Sequence, residues 1–294
     1  ELSRQIRAGA LIKGERLPSV RELSRREKVS VSTALHAYEL LESEGLVRAK
    51  PQSGYYVEAR AHFPEPAISR PPLRPAYVDV GETIIDLLTI ARSSAYAPFA
   101  AAVPALELLP LRRLNKIMAD ICRRADNPGI TYDLPPGNLE LRRQLGRLAL
   151  DWGCRLGPED FIITSGCMEA LNLALRAVAR PGGVIAIESP AYYGVLLTIA
   201  SLGMQALEVP THPSEGVQLD QLEKILKRRR IDACLFSPNF SNPLGALLPE
   251  ARKEELVRML DKYETPLIED DIYGDLFLEG ERPLNAKAFD RKGG

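Results

Sequence analysis

Four short stretches of this sequence carry side chains suited to chemistry at the ends of strands. In TSGCMEAL, Ser165, Gly166 and Cys167 stand where a helix would open. Free backbone N–H groups and the helix dipole would there face an anion such as a phosphate, although a plain Ser-Gly cap accounts for the same residues. In ESPAYYG, Tyr192 follows Pro190 by two positions and could lay its ring on a flat heterocycle or pack against a sheet edge. In SPNFSNPLG, Asn242 precedes Pro243 and is kept out of the helical region. Its amide could donate to a phenolic oxygen or simply form a turn. In LIEDDIYGD, Asp270 and Asp271 end an apolar run, and Tyr273 stands three residues after Asp270. A carboxylate at that point could pair with a protonated ring nitrogen, each pKa unit it adds corresponding to about 1.4 kcal/mol. Adjacent acids also suit a metal ion, but no third acid or histidine joins them at ligand spacing.

A second group suits a polyanion. Ser32, Thr33 and His36 share one side of a helical pattern whose other side carries Ala34, Ala37, Tyr38 and Leu41. Arg21 opens the preceding helix. Ser53 and Gly54 form the tip of two β-prone runs in GLVRAKPQSGYYVEA, where glycine permits close approach to a backbone. Three helices and a hairpin make a winged helix-turn-helix: the third helix enters a major groove, and Arg21 reaches a phosphate or a guanine. A three-helix protein–protein module would read alike.

The elements follow from punctuation. Leu2, Ile6 and Gly9 end a first amphipathic helix, which Gly14 and Pro18 separate from a second beginning at the N-cap Ser19 with Val20 and Leu23 inward. Val29 and Ser30 turn the chain into the third helix, and Gly45 stops it. Pro64, Pro66, Pro71, Pro72 and Pro75 mark an extended linker. This divides the chain into residues 1–58, a linker 59–82 and a second domain 83–294. From about 83, the apolar runs FIITSG, VIAIES, ALEVP, ACLFSPN and PLIEDD alternate with helical segments, predicting a three-layer α/β/α domain with a mainly parallel sheet. The basic run at 227–230 ends an amphipathic helix and reads as a solvated helix end.

Composition narrows the classes. With 294 residues, 45% of them hydrophobic and 26% charged, the chain has ample core, which excludes a disordered regulator or a disulfide mini-protein. Cys122, Cys154, Cys167 and Cys234 have neither zinc nor redox spacing and read as reduced thiols of an intracellular protein. His36, His62 and His212 form no metal constellation. No apolar run reaches the ~18 residues of a membrane span. Residues 1–75 carry 13 Lys+Arg against 9 Asp+Glu, and residues 76–294 carry 25 against 30, so a basic head sits on an acidic body.

The head strongly resembles the GntR family of bacterial repressors over residues 1–57. GERLPSVRELS supplies the Gly-x-x-Leu-Pro-Ser-x-Arg-x-Leu signature; VSVST, AYELLESEG and a Gly-containing wing follow. The resemblance implies Arg21, Ser30, Ser32, Thr33, Ser53 and Gly54 as DNA-facing positions. Where many relatives carry arginine this chain has Val31, which removes a charged contact and alters operator preference. The body resembles fold-type-I pyridoxal-phosphate aminotransferases over about 83–294, because its four motifs stand in that family's order and YDLPPGNLELRRQL precedes them. The resemblance implies that Ser165, Gly166 and Cys167 hold the phosphate, Tyr192 stacks on the ring, Asn242 and Tyr273 contact the ring hydroxyl, and Asp270 meets the pyridine nitrogen. Tyr132 would reach the phosphate of a neighbouring subunit. The two parts joined by a proline-rich linker resemble the MocR subgroup. That implies a cytoplasmic, homodimeric transcriptional regulator reading double-stranded DNA and sensing a small amine or amino acid through pyridoxal 5′-phosphate. A true aminotransferase with an accessory DNA-binding domain is the alternative; a scaffold without cofactor needs no ordered ring contacts.

The family's Schiff-base lysine stands in a Ser-x-x-Lys context one strand beyond Asp-x-x-Tyr. After Tyr273 the chain has only Lys287 and Lys292, neither in that context, so no catalytic residue is assigned. We expect the chain to be a fragment, the sheet incomplete at its C-terminal side and the covalent lysine elsewhere. Strands flanking the gap should lack backbone partners and leave the second domain prone to aggregation.

Overall fold

Two serines set the geometry of the N-terminal unit. The Ser19 side chain accepts from the Glu22 N–H (3.2 Å) and starts α2 (Val20–Glu27); Ser30 accepts from the Thr33 N–H (3.0 Å) and starts α3 (Val31–Ser43). With α1 (Leu2–Arg7) they bury Leu23, Ala34, Tyr38 and Leu41 against the hairpin β1 (Val47–Lys50) and β2 (Gly54–Val57). The Tyr38 hydroxyl donates to the Pro18 carbonyl (2.6 Å), locking α3 to the segment before α2. The hairpin pairs antiparallel from Val47 opposite Val57 to Lys50 opposite Gly54, and Gly54 sits at φ +110°, where a side chain is strained.

The structure is a computed structural model that describes residues 2–7, 10–58, 66–91, 95, 104–124 and 132–292. It divides into two units, Glu1–Pro66 and Ala67–Gly294. Gly9, Pro64 and the linker residues 59–65 lie outside the described residues. No described helix is long and apolar enough to cross a membrane.

In the second unit the helices α4 (Gly81–Ala91), α5 (Leu111–Arg124), α6 (Leu139–Leu148) and α7 (Cys167–Val178) all precede the first long strand, so the alternation begins later than residue 83. From there β4 (Val184–Ser189), β5 (Gln205–His212), β7 (Ala233–Phe236) and β8 (Leu267–Glu269) match four of the five apolar runs. Between them lie α8 (Tyr193–Ser201), the short β6 (Gly216–Val217), α9 (Leu219–Arg228) and α10 (Glu250–Lys262). The sheet runs β3-β5-β4-β7-β8, with β3 being Ala76–Tyr77. Pairs β4–β5, β4–β7 and β7–β8 are parallel; β3 and β6 run antiparallel to β5. The sheet is therefore mainly parallel, as the runs predicted.

Alternation along the strands divides the core between two faces. Ala186, Cys234 and Phe236 pack with Leu222 of α9 and Leu256 of α10. Ile185, Ile187 and Leu235 pack with Leu175 of α7 and Ile199 of α8. The basic run at 227–230 closes α9, where Lys227 pairs with Glu223 (2.8 Å) and Arg230 with Asp232 (3.9 Å), as expected of a solvated helix end.

Two expectations are corrected. The run FIITSG is not a strand: residues 161–164 pair with no strand among the described residues, and the Ile163 N–H donates to the Pro136 carbonyl (2.9 Å). Extended chain becomes a strand only where a neighbour takes its N–H and C=O groups, and β8 has β7 as its only described partner. A cavity of about 730 Å³ lies along β8, lined by Leu267, Glu269, Trp152 and Arg282 among others. Within the proline-rich stretch, β3 joins the sheet beside Ala206 and Gln205, and Ser69 exchanges two hydrogen bonds with the Thr211 backbone (3.3 and 2.9 Å). Proline fixes its own φ without preventing its neighbours from pairing.

Candidate functional site

Asp270 sits immediately beyond β8. Its N–H donates to the Phe236 carbonyl (2.9 Å), so the ladder delivers its carboxylate to the carboxyl end of the parallel strands, where open α/β sheets bind ligands. The residue is buried, and Oδ1 accepts from the Ile272 N–H (3.2 Å) and the Cys167 thiol (3.8 Å). Burial holds its pKa above the ordinary aspartate value; the two donors oppose this, and neighbouring Asp271 adds to it. Among the described residues no lysine, arginine or histidine forms an ion pair with Asp270. Cys167, pushed up to about 11 by burial and then by Asp270, is a donor thiol rather than a nucleophile near neutral pH.

Around this carboxylate the sequence-predicted residues fall into three groups. Asn242 Nδ2 donates to the Tyr273 hydroxyl (3.2 Å), joining the loops that follow β7 and β8. Tyr192 precedes α8; its ring lies 4.5 Å from that of Tyr193 at 52°, and burial raises its hydroxyl to about 12, with Tyr273 and Cys167 in electrostatic reach. Gly194 makes room for it, because a Cβ there would collide with the Tyr192 ring. Ser165 and Gly166 are exposed at the start of α7, Gly166 at φ +111°. The Ser165 N–H is not free, however: it donates to Glu169 Oε2 (2.5 Å), so an anion there must displace that carboxylate. Tyr132 is fully exposed and forms no hydrogen bond among the described residues.

Three neighbours escaped the sequence reading. Glu188 of β4 is buried and accepts from the Ser237 N–H (2.9 Å); burial, with Asp270 adding to it, pushes its carboxyl up to about 8. An acid inside the buried run VIAIES was the available signal. Asn239, whose Nδ2 donates to Asp271 Oδ1 (2.7 Å), and Lys253, buried on α10, complete the set. Because folded Glu188 keeps its proton to about pH 8 while the unfolded chain releases it near 4.5, its contribution to stability falls as pH rises through that window. Glu188→Gln is therefore expected to flatten the pH dependence of thermal unfolding and raise the midpoint near pH 8 by several degrees. Melts of both proteins at about pH 5.5 and about pH 8 check this; a variant as pH-sensitive as its parent contradicts it. No group of three His, Cys, Asp or Glu among the described residues could hold a metal ion.

In the N-terminal unit, Arg21, Ser30, Ser32, Thr33 and His36 are all exposed. The Ser30 hydroxyl lies 2.8 Å from that of Ser32 and 2.7 Å from that of Thr33, clustering three hydroxyls at the positive end of α3. His36 Nδ1 stands 3.5 Å from Glu39 Oε2. On the hairpin, Ser53 bonds the Tyr56 hydroxyl (2.6 Å), and Lys50 Nζ lies 4.3 Å over the Tyr56 ring. Arg48 and Lys50 alternate onto one exposed side of β1, a basic pair that the sequence reading passed over.

Comparisons with known proteins match two separate stretches, one in each unit. The family model for aminotransferase class I and II matches residues 110–291, more than half of the chain, and that for bacterial regulatory proteins of the gntR family matches residues 1–57. The Escherichia coli (strain K12) protein named "uncharacterized HTH-type transcriptional regulator YdcR" is 40% identical over 294 residues, covering 100% of this chain and 63% of that protein. The structure of LysN, the alpha-aminoadipate aminotransferase of Thermus thermophilus complexed with N-(5′-phosphopyridoxyl)-L-leucine, superposes with a TM-score of 0.58. It is 26% identical, over 70% of this chain and 53% of that one. The Pyrococcus horikoshii kynurenine aminotransferase complexed with PMP gives a TM-score of 0.66 at 26% identity, over 72% of this chain and 53% of that one. The chain thus spans less than two thirds of the length of these relatives.

Proposed function

Because the chain belongs to the aminotransferase class I and II family and joins that domain to a gntR-family head, we propose that it is the DNA-reading and cofactor-binding part of a transcriptional regulator. The observation that carries this reading is the presence, in one chain, of an exposed hydroxyl cluster at the start of α3 and a buried carboxylate at Asp270 that no cation among the described residues pairs. The head reads double-stranded DNA. The body senses a small amine or amino acid in the cytoplasm, as one half of a homodimer.

The donor set fits pyridoxal phosphate. Asp270, buried with no cation partner among the described residues, would hold a protonated pyridine nitrogen and recover in that pairing what burial costs it. Asn242 and Tyr273, already hydrogen-bonded to each other, would present their amide and hydroxyl to the ring oxygen. Tyr192 would cover the ring face. Ser165, Gly166 and Cys167 would offer α7's first N–H groups to the phosphate once Glu169 swings aside. Tyr132, fully exposed, is free to serve the phosphate of a second copy. The cofactor, when bound, supplies an aldehyde that reacts reversibly with amines, the chemistry an amine sensor needs. An effector shifts DNA affinity only if it binds the DNA-competent and DNA-incompetent states unequally.

Binding to a duplex from the region upstream of the protein's own gene tests the reading, measured by gel shift across a salt series. Affinity that falls steeply with salt supports it, and absent or salt-insensitive binding sinks it. The second reading, a transaminase with an accessory head, draws on the likeness to LysN and the kynurenine aminotransferase. Sustained turnover of an amino donor with a 2-oxo acid would favour it.

A further inference from the structure

The buried cation of α10 forms no hydrogen bond with a group assigned to the cofactor among the described residues, yet it is joined to the loops that carry them. Lys253 is fully buried, the sole lysine so among the described residues. Its Nζ donates to Asn239 Oδ1 (2.6 Å) and to the Leu284 carbonyl (2.7 Å). Asn239 passes the connection on, because its Nδ2 donates to Asp271 Oδ1 (2.7 Å). The other Asp271 oxygen accepts from Arg282, which also donates to Asp275 Oδ1 (2.5 Å) and Asn285 Oδ1 (2.9 Å). The Asp271 carbonyl accepts from the Gly274 N–H (3.3 Å), and a Cβ on Gly274 would collide with the Asp271 carboxylate.

Sequence positions give this chain of bonds its meaning. Asn239 lies three residues before Asn242, in a loop closed by the antiparallel bridge to Leu247. Asp271 lies between Asp270 and Tyr273. One lysine therefore fixes the loop after β7 and the loop after β8 against each other. Burying a charge for stability alone is a poor bargain, since apolar residues of similar volume often serve as well or better. What a fully hydrogen-bonded buried network does supply is a single geometry.

We propose that Lys253 is a positioning residue that acts through Asn239 and Asp271 to hold Asp270, Asn242 and Tyr273 in register with a pyridoxal-phosphate ring. The inference rests on the reading of those three residues as ring contacts.

The test titrates pyridoxal phosphate into the full-length protein and its Lys253→Met, Asn239→Asp and Asp270→Asn variants. It records affinity, the pH midpoint of the bound cofactor's absorbance, and the unfolding midpoint. Asn239→Asp keeps an oxygen for Lys253 and replaces the donor to Asp271 with a carboxylate oxygen that repels it, so it breaks the relay even where Lys253→Met fails to fold. Both variants should bind about tenfold more weakly, the loss that accompanies a broken buried hydrogen bond. They should also move the absorbance midpoint, which reports how Asp270 and its surroundings support the ring proton; a role in folding alone would leave that midpoint in place. Unchanged affinity and midpoint in both, with Asp270→Asn weakened, overturns the inference and leaves the site standing. No binding by the unsubstituted protein overturns the site and the inference together.

Discussion

Replacing Asp270 with asparagine is expected to weaken pyridoxal phosphate binding about a hundredfold while making the cofactor-free protein more stable at neutral pH. A hydrogen bond to a charged group contributes about 3 kcal/mol at most, which corresponds to that loss. The stability gain has the same origin. Burial raises the Asp270 pKa, so the ionised form costs free energy in the folded state, increasingly as pH rises. Asparagine keeps the shape and an oxygen for the Ile272 N–H but carries no charge to desolvate. Opposed signs, weaker binding with a higher unfolding midpoint, mark a residue kept for its ligand rather than for the fold. Equilibrium dialysis and thermal melts of the two proteins measure both signs. Undiminished affinity would remove Asp270 from the site.

The second large effect is expected on DNA. Arg21 is exposed on the first turn of α2 with Ser32 and Thr33 exposed on α3. Arg21→Ala should lower affinity for the upstream duplex about tenfold and, if the guanidinium meets a phosphate, reduce the log–log salt slope by about one. The first turn of α2 is closed by Ser19 and not by the arginine, so the fold should be unaffected. Fluorescence anisotropy across a salt series reads both quantities. An unchanged affinity with an unchanged slope would place Arg21 off the DNA.

What the sequence revealed and what it hid divide along locality. Ser19 and Ser30 announce their helices because a cap needs only residues three positions on. Ala34, Tyr38 and Leu41 declare a buried face through helical spacing, and VIAIES, buried on both sides, needs no partner to be recognised. Residues 161–164 are equally apolar, yet being a strand is a property of the neighbour as much as of the segment. Ala76 pairs with Ala206 across most of the second unit, a match no local pattern announces. At the site, the order of Ser165, Tyr192, Asn242 and Asp270 was legible because the first stands at the opening of a helix and the other three each follow a strand. The engagement of the Ser165 N–H by Glu169 was not, since a glutamate in a first turn is ordinary helix chemistry. Lys253 lay hidden in the charged stretch EARKEELVRML, which reads as a solvated face. Its spacing from Leu256 and Leu260, three and seven residues on, was the overlooked sign that it points into the core.

The proposed function requires that an amine-sensing cofactor site shift the chain's affinity for DNA. It is tested most directly by measuring the dissociation constant of the upstream duplex for the full-length protein under three conditions: without cofactor, with pyridoxal phosphate, and with cofactor plus a panel of small amines and amino acids. Coupling of the usual size predicts a change of about 5- to 150-fold for at least one member of the panel. That change should vanish in Asp270→Asn. An identical dissociation constant in all three conditions, with the cofactor shown to be bound, would rule that coupling out.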